Sequence, residues 1–145
     1  MEFGPRALCN TTCLALPTSD MVEKINAQNG RDTVMPMAPV ITEEFMNKWF
    51  NDIEKVGKSK NFMIIAYDYK SMNENIKGAA HIDSDRDIYT GRFQLATDPR
   101  IIKILDHFGG ILINTSLNAH GQPIIYDQND FAMMRYIQDE VQKNR

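Results

Sequence analysis

Two stretches of this chain collect side chains suited to holding anions and small polar groups. Near the start, Phe3-Gly4-Pro5-Arg6-Ala7-Leu8 places an arginine directly after a Gly-Pro pair. Proline restricts the backbone, so the guanidinium leaves a stiff segment in a defined direction. Its planar fork of donors matches carboxylate and phosphate oxygens. Arg6 is therefore a candidate anion clamp, with an ion pair to an internal acid as its competing use. The second stretch is I-L-I-N-T-S-L-N-A-H-G-Q-P-I, residues 111–124. An apolar run passes into Asn114, Thr115, Ser116 and Asn118 and turns at His120-Gly121. Ligands of open α/β sheets bind at the carboxyl ends of strands, where short amide and hydroxyl groups read an amide, a hydroxyl or a phosphate. The same residues are equally suited to bonding their own backbone in a satisfied turn.

The elements that must position these residues are legible in outline. Asp20, with Glu23 three residues on, predicts a capped helix running to about Gln28, and Gly30 supplies its stop. The prolines of M-P-M-A-P-V-I require extended chain. Thr42 caps a helix whose Phe45, Trp49, Ile53 and Val56 share one face. N-F-M-I-I-A-Y-D-Y reads as the clearest strand, with A-A-H-I-D and R-F-Q-L-A as shorter candidates. Asp98-Pro99 starts a helix that ends at Gly109-Gly110, and I-L-I-N-T-S-L resumes as a buried strand. P-I-I-Y is a candidate for local pairing. From about Asn129 a last amphipathic helix turns Phe131, Met134, Ile137 and Val141 inward. Interleaved helices and strands without repeats or linkers predict one α/β or α+β domain with a largely covered sheet.

Composition excludes several classes. The 145 residues are 43% hydrophobic and 24% charged, with a net charge of -3, as in an ordinary globular domain. Nothing in that balance predicts binding to nucleic acid or membranes. No signal peptide or apolar span stands out, so a cytoplasmic location is expected. The 2 cysteines, Cys9 and Cys13, are spaced as i,i+4 helix neighbours and read as buried thiols, without partners for a zinc site. Gly57-Lys58-Ser59 imitates the end of a phosphate loop, yet Asp52 stands where its leading glycine belongs. His81, His107 and His120 lie far apart in no metal-binding spacing, and no metal site is predicted.

The two stretches, with two more between them, resemble the C-terminal domain of the O-carbamoyltransferase family, which includes nodulation protein U type and antibiotic-tailoring enzymes. That family's pattern runs approximately E-F-G-P-R-A-L-G-N-R-S, K-x-R-E-x-x-R-P-F-A-P, H-V-D-G-T-A-R and L-N-T-S-F-N-x-x-G-E-P-I. Here the counterparts are E-F-G-P-R-A-L-C-N-T-T, N-G-R-D-T-V-M-P-M-A-P, H-I-D-S-D-R-D and I-N-T-S-L-N-A-H-G-Q-P-I, in the same order across nearly the whole chain. The resemblance implies a YrdC-like twisted mixed sheet flanked by helices, as a single domain over residues 1–145. It also implies the first half of a two-step reaction. Carbamoyl phosphate and ATP, the latter as substrate, give carbamoyl-adenylate with release of pyrophosphate and then phosphate. The carbamoyl group then passes to an acceptor hydroxyl, which the sequence does not name. A larger N-terminal actin-like ATPase-type domain would be the partner and would carry any divalent metal not brought by the nucleotide. The chain is accordingly expected to be a fragment or split-gene product.

Transferred residue by residue, the resemblance assigns Arg6, Arg31 and Asn114 to catalysis. Arg6, Asn10, Arg31, His81, Arg86, Asn114, Ser116 and Asn118 become substrate contacts, with a structural use equally open for His81. The departures concern charge. Asn29 replaces a family lysine, Met35 and Asp87 replace arginines, and Cys9 and Thr11 replace a glycine and an arginine. Arg86, Arg92 and Lys24 are possible compensations. Besides the enzyme, this loss of cations admits a module of the same fold that completes or regulates a partner domain, or a small-molecule sensor using Arg6 and the N-T-S-L-N pocket.

Overall fold

A computed structural model describes residues 11–31 and 37–143, and of Lys55 and Val56 only the backbone. Arg6, Asn10 and Met35 lie outside the described residues. The strand expected at residues 111–117 is the hub. As β7 (Ile111–Ser116) it is buried at every position. On one side it pairs antiparallel with β1 (Thr12–Ala15). On the other it pairs antiparallel with β2 (Pro39–Ile41), to which β6 (Gln94–Leu95) adds in parallel. The resulting order is β1-β7-β2-β6, a mixed sheet as expected.

Strand alternation gives this sheet two apolar faces. Ile111, Ile113 and Ile41 belong to a large cluster with Phe45, Met46, Phe50 and Phe93. Leu112 and Val40 belong to another, with Ile101 and Leu105 of α3 (Pro99–His107). Helix α3 starts as expected, since the Asp98 carboxylate accepts from the Arg100 N–H at 2.8 Å and Pro99 occupies the first turn. Thr42 likewise caps α2 (Glu43–Trp49), accepting from the Phe45 N–H at 3.2 Å.

Other expectations are corrected. Helix α1 (Ser19–Gln28) begins two residues earlier than read, with Thr18 as its cap in place of Asp20, which pairs with Lys24 at 2.7 Å. Helix α2 stops at Trp49. Asp52 is left-handed at φ 54°, and Ile53–Asn61 forms a 3-10 segment kinked at Gly57. The long strand read over residues 61–69 shrinks to β3 (Tyr67–Asp68), because Met63 takes φ 53° and Ile64 stands 68% exposed. Apolar content alone did not bring that segment into a ladder. Cys13 lies on β1 opposite Thr115, on a strand instead of a helix. Among the described residues the P-I-I-Y segment pairs only through an Ile125 N–H to Leu117 C=O bond of 3.3 Å. Helix α4 (Gln128–Lys143) buries Met134 and Gln138, leaving Phe131 47% exposed.

A second, antiparallel sheet was not foreseen. It has the order β3-β5-β4, with β4 spanning His81–Asp83 and β5 Ile88–Gly91. An aromatic cluster fastens it to the first. Phe50 lies 4.2 Å from Tyr69 and 4.7 Å from Phe93, and Tyr67 lies 4.6 Å from Phe93, centroid to centroid. Phe93 sits between β5 and β6, so the chain passes from one sheet to the other through its own core. No helix among the described residues is long and apolar enough to cross a membrane.

Gly78 anchors the segment ahead of α1, donating its N–H to the Pro17 carbonyl at 2.8 Å. A Cβ there would stand 2.5 Å from the Thr18 carbonyl oxygen, which is backbone and cannot swing aside. Gly78→Ala should destabilise the fold by about 1–3 kcal/mol. A urea unfolding midpoint equal to that of the unsubstituted chain would contradict this packing.

Candidate functional site

Three local structures meet at the carboxyl end of β7. The first is the polar half of β7 itself. Asn114 is 2% exposed, and its Oδ1 accepts a hydrogen bond from the Thr12 hydroxyl on β1. Its Nδ2 lies 3.5 Å from Gln94 Oε1 on β6, so one carboxamide ties together strands on both sides of β7. A buried amide without such partners would cost a few kcal/mol, and here both ends are engaged. Thr115 and Ser116, also buried, complete the strand.

The second structure is the end of α1. Gly30, at φ 70°, donates to the Ala27 carbonyl at 3.3 Å, and Arg31 donates to the Asn26 carbonyl at 2.9 Å. These are the two bonds of a Schellman turn. The glycine that was expected to stop the helix therefore also aims Arg31. A cation is favoured at a helix C-terminus, and among the described residues no carboxylate pairs with Arg31. The third structure is the turn after β7. Asn118 Nδ2 donates to the Gln122 carbonyl at 2.7 Å, and the His120 N–H donates to the Asn29 carbonyl at 3.0 Å. That last bond joins the turn to the end of α1.

Between them lies a small polar pocket of about 100 Å³ lined by Asn29, Arg31, Thr115, Ser116, Asn118, His120 and Gly121. It shares Asn29, Ser116 and Asn118 with a larger cleft of about 190 Å³, which reaches Cys13, Phe131, Met134 and Gln138. Burial raises the Cys13 thiol pKa, keeping it protonated at neutral pH. Of the residues read as substrate contacts, Arg31, Ser116 and Asn118 line the polar pocket, and Asn114 is absent from both linings. Sequence reasoning missed His120 as a wall residue. It also missed Gln138, although its spacing from Met134 and Val141 was the available signal.

His81 and Arg86 belong to the other sheet. Arg86 grips Asp68 with two bonds of 2.9 and 3.1 Å and Asp83 with one of 2.7 Å, so its fork is committed to pinning the β4–β5 turn. Asp87 takes φ 52° in the same turn. The half-buried His81 has its pKa lowered, first by desolvation and then by the nearby Arg92 charge. Among the described residues no cluster of three or more His, Cys, Asp or Glu side chains is placed to hold a metal ion.

With this geometry in view, the chain matches a family described as Carbamoyltransferase C-terminus over residues 1–142. It belongs to that family. It is 35% identical over 134 residues to an uncharacterized protein of Methanocaldococcus jannaschii, covering 90% of this chain and 25% of that one. It is 27% identical over 138 residues to the 3'-hydroxymethylcephem-O-carbamoyltransferase of Amycolatopsis lactamdurans, covering 91% and 25%. The chain thus spans about a quarter of the length of these curated relatives. Among solved structures, full-length HypF in a phosphate- and nucleotide-bound form shares the fold, with a TM-score of 0.60 and 16% identity over 85% of this chain and 16% of that one.

Two measurements check this description. Asn114→Ala strands the Thr12 hydroxyl and opens the strand junction, and should cost about 2 kcal/mol in denaturant unfolding. A loss within experimental error would disprove the junction. His81 should titrate by NMR below the ordinary value near 6.5. Its folded pKa is depressed, so its contribution to stability is fully present above that ordinary value and lost as pH falls through the folded one. A midpoint at or above 6.5 would refute its desolvated setting.

Proposed function

We propose that this domain performs the adenylation half of an O-carbamoyl transfer, with the pocket at the end of β7 receiving phosphoryl and carbamoyl oxygens. The observation that carries this reading is the convergence of Arg31, with which no carboxylate among the described residues pairs, and Ser116, Asn118 and His120 around one small polar pocket. Phosphoryl transfer requires donors placed where negative charge accumulates, and this wall is rich in them. The names of the carbamoyltransferase relatives and of phosphate- and nucleotide-bound HypF agree with such ligands.

In the proposed sequence phosphate leaves before pyrophosphate, the reverse of the order the resemblance implies, because carbamate must be freed before it can attack: water cleaves carbamoyl phosphate to carbamate and phosphate. A carbamate oxygen then attacks the α-phosphorus of ATP, and pyrophosphate leaves as carbamoyl-adenylate forms. Arg31 would hold the phosphoryl oxygens, Ser116 and Asn118 would orient the carbamoyl group, and Asn114 would keep the floor rigid beneath them. Arg6 and Asn10 keep the roles their motif implies. A divalent ion would enter with the nucleotide or reside in the rest of the protein. Transfer to the acceptor hydroxyl, and an N-terminal actin-like partner domain that selects it, belong to the same proposal.

One observation favours a second reading. Arg86, a possible substitute for a lost cation, is held by Asp68 and Asp83 instead. A module that binds ligand without turnover would accommodate that.

The two readings separate in one assay. The chain, alone and joined to its N-terminal partner domain, is mixed with ATP and carbamoyl phosphate, and pyrophosphate is followed. The enzyme reading expects release, reduced on the order of a hundredfold in Arg31→Ala and less in Arg31→Lys. Binding without release in both formats would leave the module, and absence of both would sink the two together.

A further inference from the structure

Gln138 is an unexpected residue for its position. Helix α4 buries only two of its described residues, Met134 and Gln138, and Gln138 is just 6% exposed. A glutamine on an apolar helix face is costly unless its amide is engaged at both ends. Here it is. Its Oε1 accepts from Gln28 Nε2 at 3.4 Å, and its Nε2 donates to Asn29 Oδ1 at 2.8 Å. These partners lie 110 and 109 residues away in sequence, at the end of α1.

The chain of amides has a direction. Gln28 donates to Gln138, and Gln138 donates to Asn29. An amide offers one carbonyl and one N–H2, so a carbonyl committed to Gln138 leaves Asn29 its donor end. That N–H2 is not among the buried polar atoms without a partner, and no hydrogen bond among the described residues uses it. Asn29 itself lines both the polar pocket and the adjoining cleft. The Asn29 backbone is equally constrained, as the cap of α1 and as acceptor of the His120 N–H. With backbone and carbonyl both held, the amide has little freedom to turn.

We propose that Gln138 is a positioning residue, holding the Asn29 carboxamide with its N–H2 toward the pocket beside Arg31. Asn29 thereby becomes a specificity-determining donor for a phosphoryl or carbamoyl oxygen. This rests on the pocket receiving such oxygens, as read above. A donor fixed in place favours a ligand that presents acceptors there and rejects one that presents N–H, because either two donors would face each other or the site's own donor would go unpaired.

The test uses the full chain, with inorganic phosphate and pyrophosphate as probes in titration calorimetry. Gln138→Glu is acceptor-only. It can accept from Gln28, and it can draw in the Asn29 N–H2, which turns Asn29 Oδ1 outward. Affinity should fall about tenfold, the loss expected when one donor to an anion is exchanged for an acceptor. Asn29→Asp should lose at least as much. Because Gln138→Glu also adds a charge that repels anions, the cycle uses the uncharged Gln138→Leu: it should weaken binding where Asn29 is present and leave affinity unmoved in an Asn29→Ala background, a non-additivity that a general structural role for Gln138 would not produce.

Should a variant not fold, the unsubstituted chain supplies the measurement. Its Asn29 side-chain N–H2 signals should shift on adding phosphate, in a 15N-resolved spectrum. Additive losses in the cycle, or silent Asn29 signals while phosphate binds, would overturn this inference and leave the proposed function standing. A chain that binds neither phosphate nor pyrophosphate would overturn both.

Discussion

Everything near the candidate site depends on a strand that changes character midway while remaining buried throughout. Ile111, Leu112 and Ile113 need only apolar neighbours, and both faces of the sheet provide them. Asn114, Thr115 and Ser116 follow in the same buried strand and need hydrogen-bond partners. The fold meets that demand by laying β1 alongside, which brings Thr12 to Asn114, and by leaving Gln94 within reach on β6. A ladder that holds three polar side chains below the surface cannot slip in register without burying them unpaired. The direction in which β7 delivers Ser116 and the following turn is therefore set by its first polar residue.

A second constraint acts beside the first. The end of α1 is closed by a Schellman turn, so Arg31 leaves the helix at a fixed angle over the end of β7. The turn after β7 bonds back to it through His120 and Asn29, and α4 reaches the same place through Gln138. Segments distant in sequence thus converge on Asn29. The arrangement is built from neutral amides and one guanidinium, and among the described residues no carboxylate lines the pocket.

What the sequence disclosed follows from how local each signal was. Thr42, Asp98-Pro99 and Gly30 act on their own neighbours, and each cap or stop lies where those residues predict. The buried strand was equally readable, because an apolar run between glycine and polar turn residues has few alternatives. The failures were non-local. Asn61–Tyr69 has the composition of a strand, yet pairing is confined to its last three residues, Tyr67 and Asp68 in β3 and Tyr69 in a single bridge to Phe50, since the aromatic cluster around Phe50 and Phe93 decides which residues of that segment are drawn in. The second sheet depends on the same cluster and could not be read from any one window. For the site, the ordered motifs pointed alike to Arg31, Ser116 and Asn118, which line one pocket, and to His81 and Arg86, which a separate sheet holds.

That division bears on how substituted positions should be weighed. Where the resemblance puts a lysine, Asn29 lacks the charge but not the donor, provided the amide is held the right way round. A free asparagine on a turn would spend its donor on water or on its own backbone. One clamped by a buried glutamine cannot, and a neutral donor with fixed geometry loses less on binding than a mobile cation, which must give up its rotamer freedom. The cost is range, since a neutral amide does not attract an anion from a distance as a lysine does. Among the described residues lining the pocket, Arg31 is the one that carries a permanent positive charge. A site of this kind trades electrostatic reach for placement, which is why a helix from the far end of the chain is recruited to hold one side chain.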